Sequence, residues 1–197
     1  MGYPGIFPTG TTVYNKDKAW NGYTVFPTKK GALLIDMNGN EVKLWAGLEG
    51  FPNKILPGGY VLGSTGSIKS KYSYQDEKDL VQVDWNGNIV WKFDKTELYA
   101  DPGQEPQYFA RQHHDYQREG STVGYYYPGG EPKTDSGNTL ILTHENLYNH
   151  DISDKRLIDD KIIEVDWEGN IVWSWRASDH FDELGFDEAA KNILYRN

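Results

Sequence analysis

Apolar and polar residues alternate along three stretches of the chain that have nearly the same sequence. They read LLIDMNGNEVKLW at 33–45, VQVDWNGNIVWKF at 81–93 and IEVDWEGNIVWSW at 163–175. In each stretch, alternating apolar residues flank a central Asp-x-x-Gly-Asn segment, whose glycine supplies the positive φ that a bulged hairpin turn requires. The pattern therefore predicts three β-hairpins.

The three hairpins belong to larger repeating units. Their aspartates, Asp36, Asp84 and Asp166, lie 48 and then 82 residues apart, and an aromatic residue closes each hairpin. A weaker repeat precedes each hairpin and predicts one further strand; its copies are GYTVFPT at 22–28, GYVLGST at 59–65 and NTLILTH at 138–144. Repeats of this length that are built of short strands are typical of β-propeller blades.

The predicted fold is all-β, a partial propeller of about three four-stranded blades with a short helical segment at its C-terminal end. We place the blades near 11–45, 51–93 and 108–175, and the helical tail at 179–197 with Asp187 as its N-cap. Three long insertions interrupt the pattern and are predicted to be loops, at 94–107, 119–135 and 145–160. Long loops in a compact domain are often functional.

Composition narrows the function classes. The chain has 197 residues, no cysteine and a formal net charge of −9, so we expect neither nucleic acid nor an anionic membrane as partner. No apolar run reaches the length of a membrane span, and the first ten residues do not have the pattern of a signal peptide. We expect a cytoplasmic location, with a periplasmic or extracellular one left open if a leader has been removed.

The densest group of chemically active side chains is the segment RQHHDYQR at 111–118. It aligns with the innermost strand of a blade, which in a propeller lines the central channel. In a regular strand, Arg111 and His113 would share one face and His114 the other. These histidines are candidates for anion binding, acid–base work or nucleophilic attack. The alternative is a structural His-Asp pair between blades.

The other histidines do not form a recognisable metal motif. His144 is followed by Glu145, but Tyr148 stands where the H-E-x-x-H pattern needs a second histidine. A cluster of His144, His150 and Asp151 would have a spacing that matches no familiar metal site. We predict neither a metal nor another cofactor.

At these residues the chain resembles the aryl-sulfate sulfotransferases, which take the sulfuryl group from aryl sulfate esters rather than from the nucleotide donor PAPS. The resemblance is carried by the hairpin signature D-W-x-G-N-I-V-W and by RQHHDYQRE together with SGNTLILTH, and it extends through DHFDELGFDEAAKNILYRN. It implies a six-bladed propeller, of which this chain would form the N-terminal half. It also implies a ping-pong transfer through a sulfohistidine, from an aryl sulfate to a phenol.

Within this resemblance, His114, which is followed by Asp115, matches the family's first His-Asp element, and His113 is its neighbour. We assign His114 and His113 as catalytic candidates, and Arg111 and His144 as candidates for binding the sulfate group. The histidine that becomes sulfated is expected in later blades. We therefore expect the chain alone to be inactive, and to pair with a complementary C-terminal half or to self-associate.

Two other functions stay open. The first is a non-catalytic propeller that serves as a binding scaffold, with a structural His-Asp pair. The second is a quinoprotein-like oxidoreductase, which is weaker because the repeats lack recognisable elements for stacking that cofactor.

Overall fold

The computed structural model describes residues 11–69, 76–100, 102–121 and 130–196. Within these residues the chain forms antiparallel sheets joined by turns, with two short helical segments at its C-terminal end. The all-β prediction is therefore confirmed. No helix in these ranges is long and apolar enough to cross a membrane.

The first sheet has three strands in chain order. They are β1 (Thr24–Thr28), β2 (Gly31–Ile35) and β3 (Glu41–Ala46). A fourth strand was predicted within 11–45, but residues 11–20 contain none. The backbone carbonyl of Asn15 instead accepts hydrogen bonds from the amides of Lys18 and Ala19, which close a turn in this polar stretch.

The second sheet has the predicted four strands, again in chain order. They are β4 (Lys54–Leu56), β5 (Tyr60–Gly63), β6 (Leu80–Val83) and β7 (Ile89–Phe93). A short hairpin of β8 (Glu97–Tyr99) and β9 (Gln107–Phe109) follows it. This hairpin occupies part of 94–107, which was predicted to be a loop.

The third sheet also has four strands in chain order and is the largest. Its strands are β10 (Gln112–Arg118), β11 (Thr139–Tyr148), β12 (Arg156–Val165) and β13 (Ile171–Arg176). The prediction of a charged loop at 145–160 is wrong, because β11 and β12 continue as one long hairpin through most of it. Of the predicted loop at 119–135, residues 122–129 lie outside the described residues, and the others contain neither strand nor helix.

The repeated turn has one structure in all three sheets. In the second sheet, the Asp84 carboxylate accepts hydrogen bonds from both the backbone and the side-chain amide of Asn88, and Gly87 has a φ of 90°. Asp36 and Asp166 are bound in the same way by Asn40 and Asn170. These hydrogen bonds, chiefly that of the asparagine side chain, lower the pKa of each aspartate. The hairpin prediction is confirmed.

The three sheets pack on one another in sequence through two apolar clusters. One cluster joins the first two sheets and includes Trp45, Val81 and Val83. The other joins the second and third sheets and includes Leu80 and Ile163. All four residues of β6 are buried, so the second sheet is covered on both faces. The arrangement of the sheets about a common propeller axis stays a prediction.

The C-terminal segment is helical, as predicted. A 3-10 segment, Ala177–Leu184, is followed by the helix α1 (Glu188–Arg196). The Asp187 carboxylate accepts a hydrogen bond from the backbone amide of Ala190 at 2.8 Å, which makes it the N-cap of α1.

Candidate functional site

Strand β10 has an irregular backbone at the residues that the sequence singled out. Arg111 and His114 have φ values of 50° and 57°, in the left-handed region that residues other than glycine seldom adopt. The register with β11 shifts between the pairs Gln112–Thr143 and Tyr116–Ile141, so β10 contains a bulge. Backbone strain of this kind is concentrated at functional sites in proteins.

The bulge overturns the predicted alternation of faces along β10. Instead of taking opposite faces, the adjacent residues His114 and Asp115 are both exposed, whereas Gln112 and His113 are both buried. Regular alternation requires extended φ and ψ at every residue, and the left-handed residue His114 breaks it. As a consequence, His114 and His113 lie in different environments although they are neighbours in the chain.

His114 and Asp115 line a cavity of about 940 Å³ that residues of all three sheets enclose. Its walls include β1, β4 and β10, each of which is the first strand of its sheet. Part of the lining is aromatic, and these side chains are Trp20, Tyr23, Phe26 and Phe51. Polar and cationic side chains complete it, among them Asn21, Asn53, Lys54, Gln117 and Arg118.

Two cationic side chains of the cavity are held in place. The Lys54 ammonium contacts the Asp115 carboxylate at 2.5 Å and the Tyr116 carbonyl oxygen at 2.6 Å. The Arg118 guanidinium contacts the rings of both Trp91 and Trp167, with its central carbon 4.6 and 4.7 Å from their centroids. Burial lowers the pKa of Arg118 to about 10, so this group keeps its positive charge at neutral pH.

Arg118 also keeps donors available. Its Nη1 donates to the Ser136 carbonyl oxygen, but its Nε and Nη2 have no hydrogen-bond partner within the described part of the chain. Buried donors in folded proteins are nearly always paired. These N–H groups could therefore donate to an anionic ligand group.

The other two histidines predicted for the site, His113 and His144, form a stacked pair beside the cavity. The ring of His113 stacks on that of His144 with centroids 3.7 Å apart, and it meets the His114 ring edge-on at 5.1 Å. His113 is only 3% exposed. Desolvation, and then the nearby His144, lower its pKa to about 4, so His113 is uncharged at neutral pH.

His144 is held by a buried network of charges. The fully buried Asp76 carboxylate faces the His144 Nδ1 at 2.5 Å and accepts a hydrogen bond from the Arg111 Nε at 2.6 Å. Arg111 also pairs with Glu97. Because Asp76 accepts a hydrogen bond from Nδ1–H, the Nε2 of a neutral His144 carries the free lone pair.

The four predicted site residues thus divide into two groups. His114 lines the cavity, whereas Arg111, His113 and His144 do not. Arg111 and His144 both contact Asp76, and His113 stacks on His144. Sequence reasoning missed Asp76 and Asp160 as partners of these residues, and it did not assign the cationic cavity residues Lys54 and Arg118 to the site. For Asp160 a signal existed, since a hairpin extended through 145–160 pairs it directly with His144.

Comparison with known proteins identifies one family. Residues 131–192 match the family model described as Arylsulfotransferase (ASST). This segment contains β11, β12 and β13, and therefore His144 and Asp160. The predicted resemblance to the aryl-sulfate sulfotransferases is confirmed for this segment. No curated protein and no solved structure matched the chain.

Proposed function

We propose that this chain provides a substrate-binding part of an aryl-sulfate sulfotransferase, with the donor ester in the cavity between the three sheets. The observation that carries the proposal is that the exposed imidazole of His114 shares this cavity with an aromatic wall and with the cationic residue Arg118. An aryl sulfate has the same two parts, an aromatic ring and a compact anion. The family match of the neighbouring strands supports the same chemistry.

In this proposal the aromatic side chains receive the ring, and the cations receive the sulfate. Tyr23 and Phe51 offer exposed ring faces for stacking. The unpaired donors of Arg118 are buried in this structure, and the side chain turns toward the cavity to bind sulfate oxygens by charge-assisted hydrogen bonds. Lys54 contributes less to this charge, because Asp115 already neutralises it.

His114 acts on the phenol oxygens. When the S–O bond to the donor breaks, the leaving phenolate oxygen takes a proton from the His114 imidazolium, and neutral His114 then takes the proton of the acceptor phenol. The sulfuryl group itself passes through a sulfohistidine, as the resemblance implies. In the first half of the transfer an N–S bond forms as the S–O bond of the donor breaks. In the second half the acceptor oxygen forms a new S–O bond as the N–S bond breaks.

The test is turnover of p-nitrophenyl sulfate with a phenol acceptor by the chain together with its complementary C-terminal half, and calorimetric binding of the ester to the same assembly. The variant is His114→Asn, because asparagine tolerates the left-handed backbone at this position. The rate should fall about 100- to 10,000-fold, as for other acid–base groups. The control is His150→Asn, at an exposed turn, which should leave turnover unchanged.

Three results would count against the proposal. If His114→Asn has unchanged turnover and unchanged ester affinity, His114 does not have the proposed role. Ester binding without any transfer would favour the non-catalytic scaffold. If Tyr23→Ala leaves KM unaltered, the aryl ring does not occupy this cavity.

A further inference from the structure

The Nε2 atoms of His113 and His144 converge on one carboxylate oxygen. Oδ1 of Asp160 lies 3.2 Å from Nε2 of His113 and 3.4 Å from Nε2 of His144. The three candidate ligand atoms of these residues all lie within 4.8 Å of one another. This group does not include His114 and does not line the cavity.

The separations suit a tetrahedral metal ion. Zinc binds imidazole nitrogen at about 2.0–2.1 Å and carboxylate oxygen at about 2.0–2.2 Å, which puts two such ligands roughly 3.4 Å apart at tetrahedral angles. The observed distances between nitrogen and oxygen, 3.2 and 3.4 Å, are close to this value. The imidazole planes are 16° from parallel, so they must turn apart for both lone pairs to meet one ion.

His144 has the outer support that metal-binding histidines require. A histidine that binds a metal through one nitrogen usually donates its other N–H to a carboxylate, which fixes the ring. Asp76 is that carboxylate, 2.5 Å from Nδ1 of His144, and Arg111 in turn holds Asp76. The arrangement leaves Nε2 of His144 directed at Asp160.

His113 gives an independent indication of a missing ligand. It is 97% buried, and neither ring nitrogen has a hydrogen-bond partner within the described ranges. Oδ1 of Asp160 is near Nε2 but does not meet it in hydrogen-bonding geometry. A buried imidazole without a partner is costly, and a metal ion at Nε2 would satisfy one of its two unpaired nitrogens.

We infer that His113, His144 and Asp160 bind a divalent transition-metal ion of the zinc type, with Asp76 as the outer carboxylate. Two imidazoles and one carboxylate are a ligand set that zinc accepts, and three protein ligands leave the fourth position to water. Asp160 is 59% exposed, so this side of the site is open to solvent. Two carboxylates at this place disfavour an anion, which keeps the sulfate in the cavity.

The test is titration of the chelator-treated full chain with Zn²⁺ by calorimetry, and with Co²⁺ by visible absorption. We expect one equivalent to bind, with the intense absorption of four-coordinate cobalt. The ligand variants Asp160→Asn and His144→Gln should each weaken Zn²⁺ binding at least tenfold. Asp76→Asn should weaken it about 10- to 100-fold, as outer-carboxylate changes do elsewhere.

Matched controls exist in the adjoining turn. Asp154→Asn and His150→Gln change the same residue types at exposed positions outside the cluster and should bind Zn²⁺ like the parent. Circular dichroism establishes that each variant is folded, and the exposed Asp160 is the substitution least able to disturb the core. Absence of a Zn²⁺ titration in the parent protein would overturn the inference. Equal affinity in the parent, Asp160→Asn and His144→Gln would also overturn it.

This inference does not rest on the proposed function. Metal binding is measured without substrate, and the sulfotransferase test uses a variant of His114, which is not one of the proposed metal ligands. If the chain binds Zn²⁺ but its assembly with the C-terminal half neither binds nor turns over aryl sulfate, only the proposed function is contradicted. The reverse result would sink only the metal site.

Discussion

The indole Nε1 of Trp91 donates a hydrogen bond to the backbone carbonyl oxygen of Trp167, 2.9 Å away. Trp91 lies on the last strand of the second sheet, and Trp167 lies in the repeated turn of the third. The two rings also stack with centroids 6.1 Å apart. This pair therefore joins two sheets by both a hydrogen bond and aromatic packing.

Replacing Trp91 by Phe should lower the free energy of unfolding by about 1–3 kcal/mol. The change removes the N–H donor and leaves a carbonyl oxygen unpaired, while it keeps most of the apolar area. Urea unfolding followed by circular dichroism measures this loss. Trp173→Phe on the half-exposed face of β13 is the control and should change stability by less than about 0.5 kcal/mol. Equal stability of the parent and Trp91→Phe would show that the hydrogen bond is unimportant.

Arg118 should not be replaceable by lysine. Its planar guanidinium contacts the rings of both Trp91 and Trp167, and an ammonium has no planar face to pack on them. We expect Arg118→Lys to destabilise the fold by about 1–2 kcal/mol. A double-mutant cycle with Trp91→Phe should give a clearly non-zero coupling energy, because the residues are in contact. Strict additivity of the two changes would contradict an energetically significant contact between Arg118 and Trp91.

Glu77 should make stability fall as the pH rises. Burial raises its pKa in the folded chain above the ordinary value of 4.5. Its contribution to stability is therefore complete below the unfolded pKa and is lost as the pH rises through the folded pKa. Glu77→Gln should remove this loss and gain stability relative to the parent above pH 4.5, in urea unfolding at a series of pH values. A stability difference between the parent and Glu77→Gln that stays the same across the pH series would refute this.

Asp84 should have the opposite effect at low pH. The side-chain hydrogen bond of Asn88 lowers the pKa of this carboxyl below its ordinary value of 3.8. The resulting stabilisation is present above the unfolded pKa and is lost as the pH falls through the folded pKa. Asp84→Ala should thus lower Tm at pH 7, and the difference from the parent should shrink on acidification below 3.8. A Tm difference that stays constant into strong acid would show that the ionised Asp84 carboxylate is not the source of the stabilisation.

The hairpins could be predicted from sequence because their information is local. An aspartate, a glycine and an asparagine at fixed spacing determine the turn, and the alternation around them determines the strands. Asp187 was found as a helix cap for the same reason. The first-strand position of the segment at 111–118 followed from alignment of the repeats.

The site was harder to predict because it depends on long-range contacts and on unusual backbone. Nothing in the residue types indicates that Arg111 and His114 take left-handed conformations, and these decide which histidine faces the cavity. Asp76 contacts His144 across 68 positions of the chain, which no spacing rule anticipates. Composition also cannot show that His113 stacks on His144 instead of lining the cavity.

The complete burial of β6 has a kinetic consequence. When stacked units touch only their neighbours, stability is shared between adjacent units, and the ends open more often than the middle. The second sheet is covered by the first and the third, so its backbone amides should be the last in the chain to exchange with deuterium. Local unfolding of the first or the third sheet should therefore set the rate at which solvent reaches the second sheet.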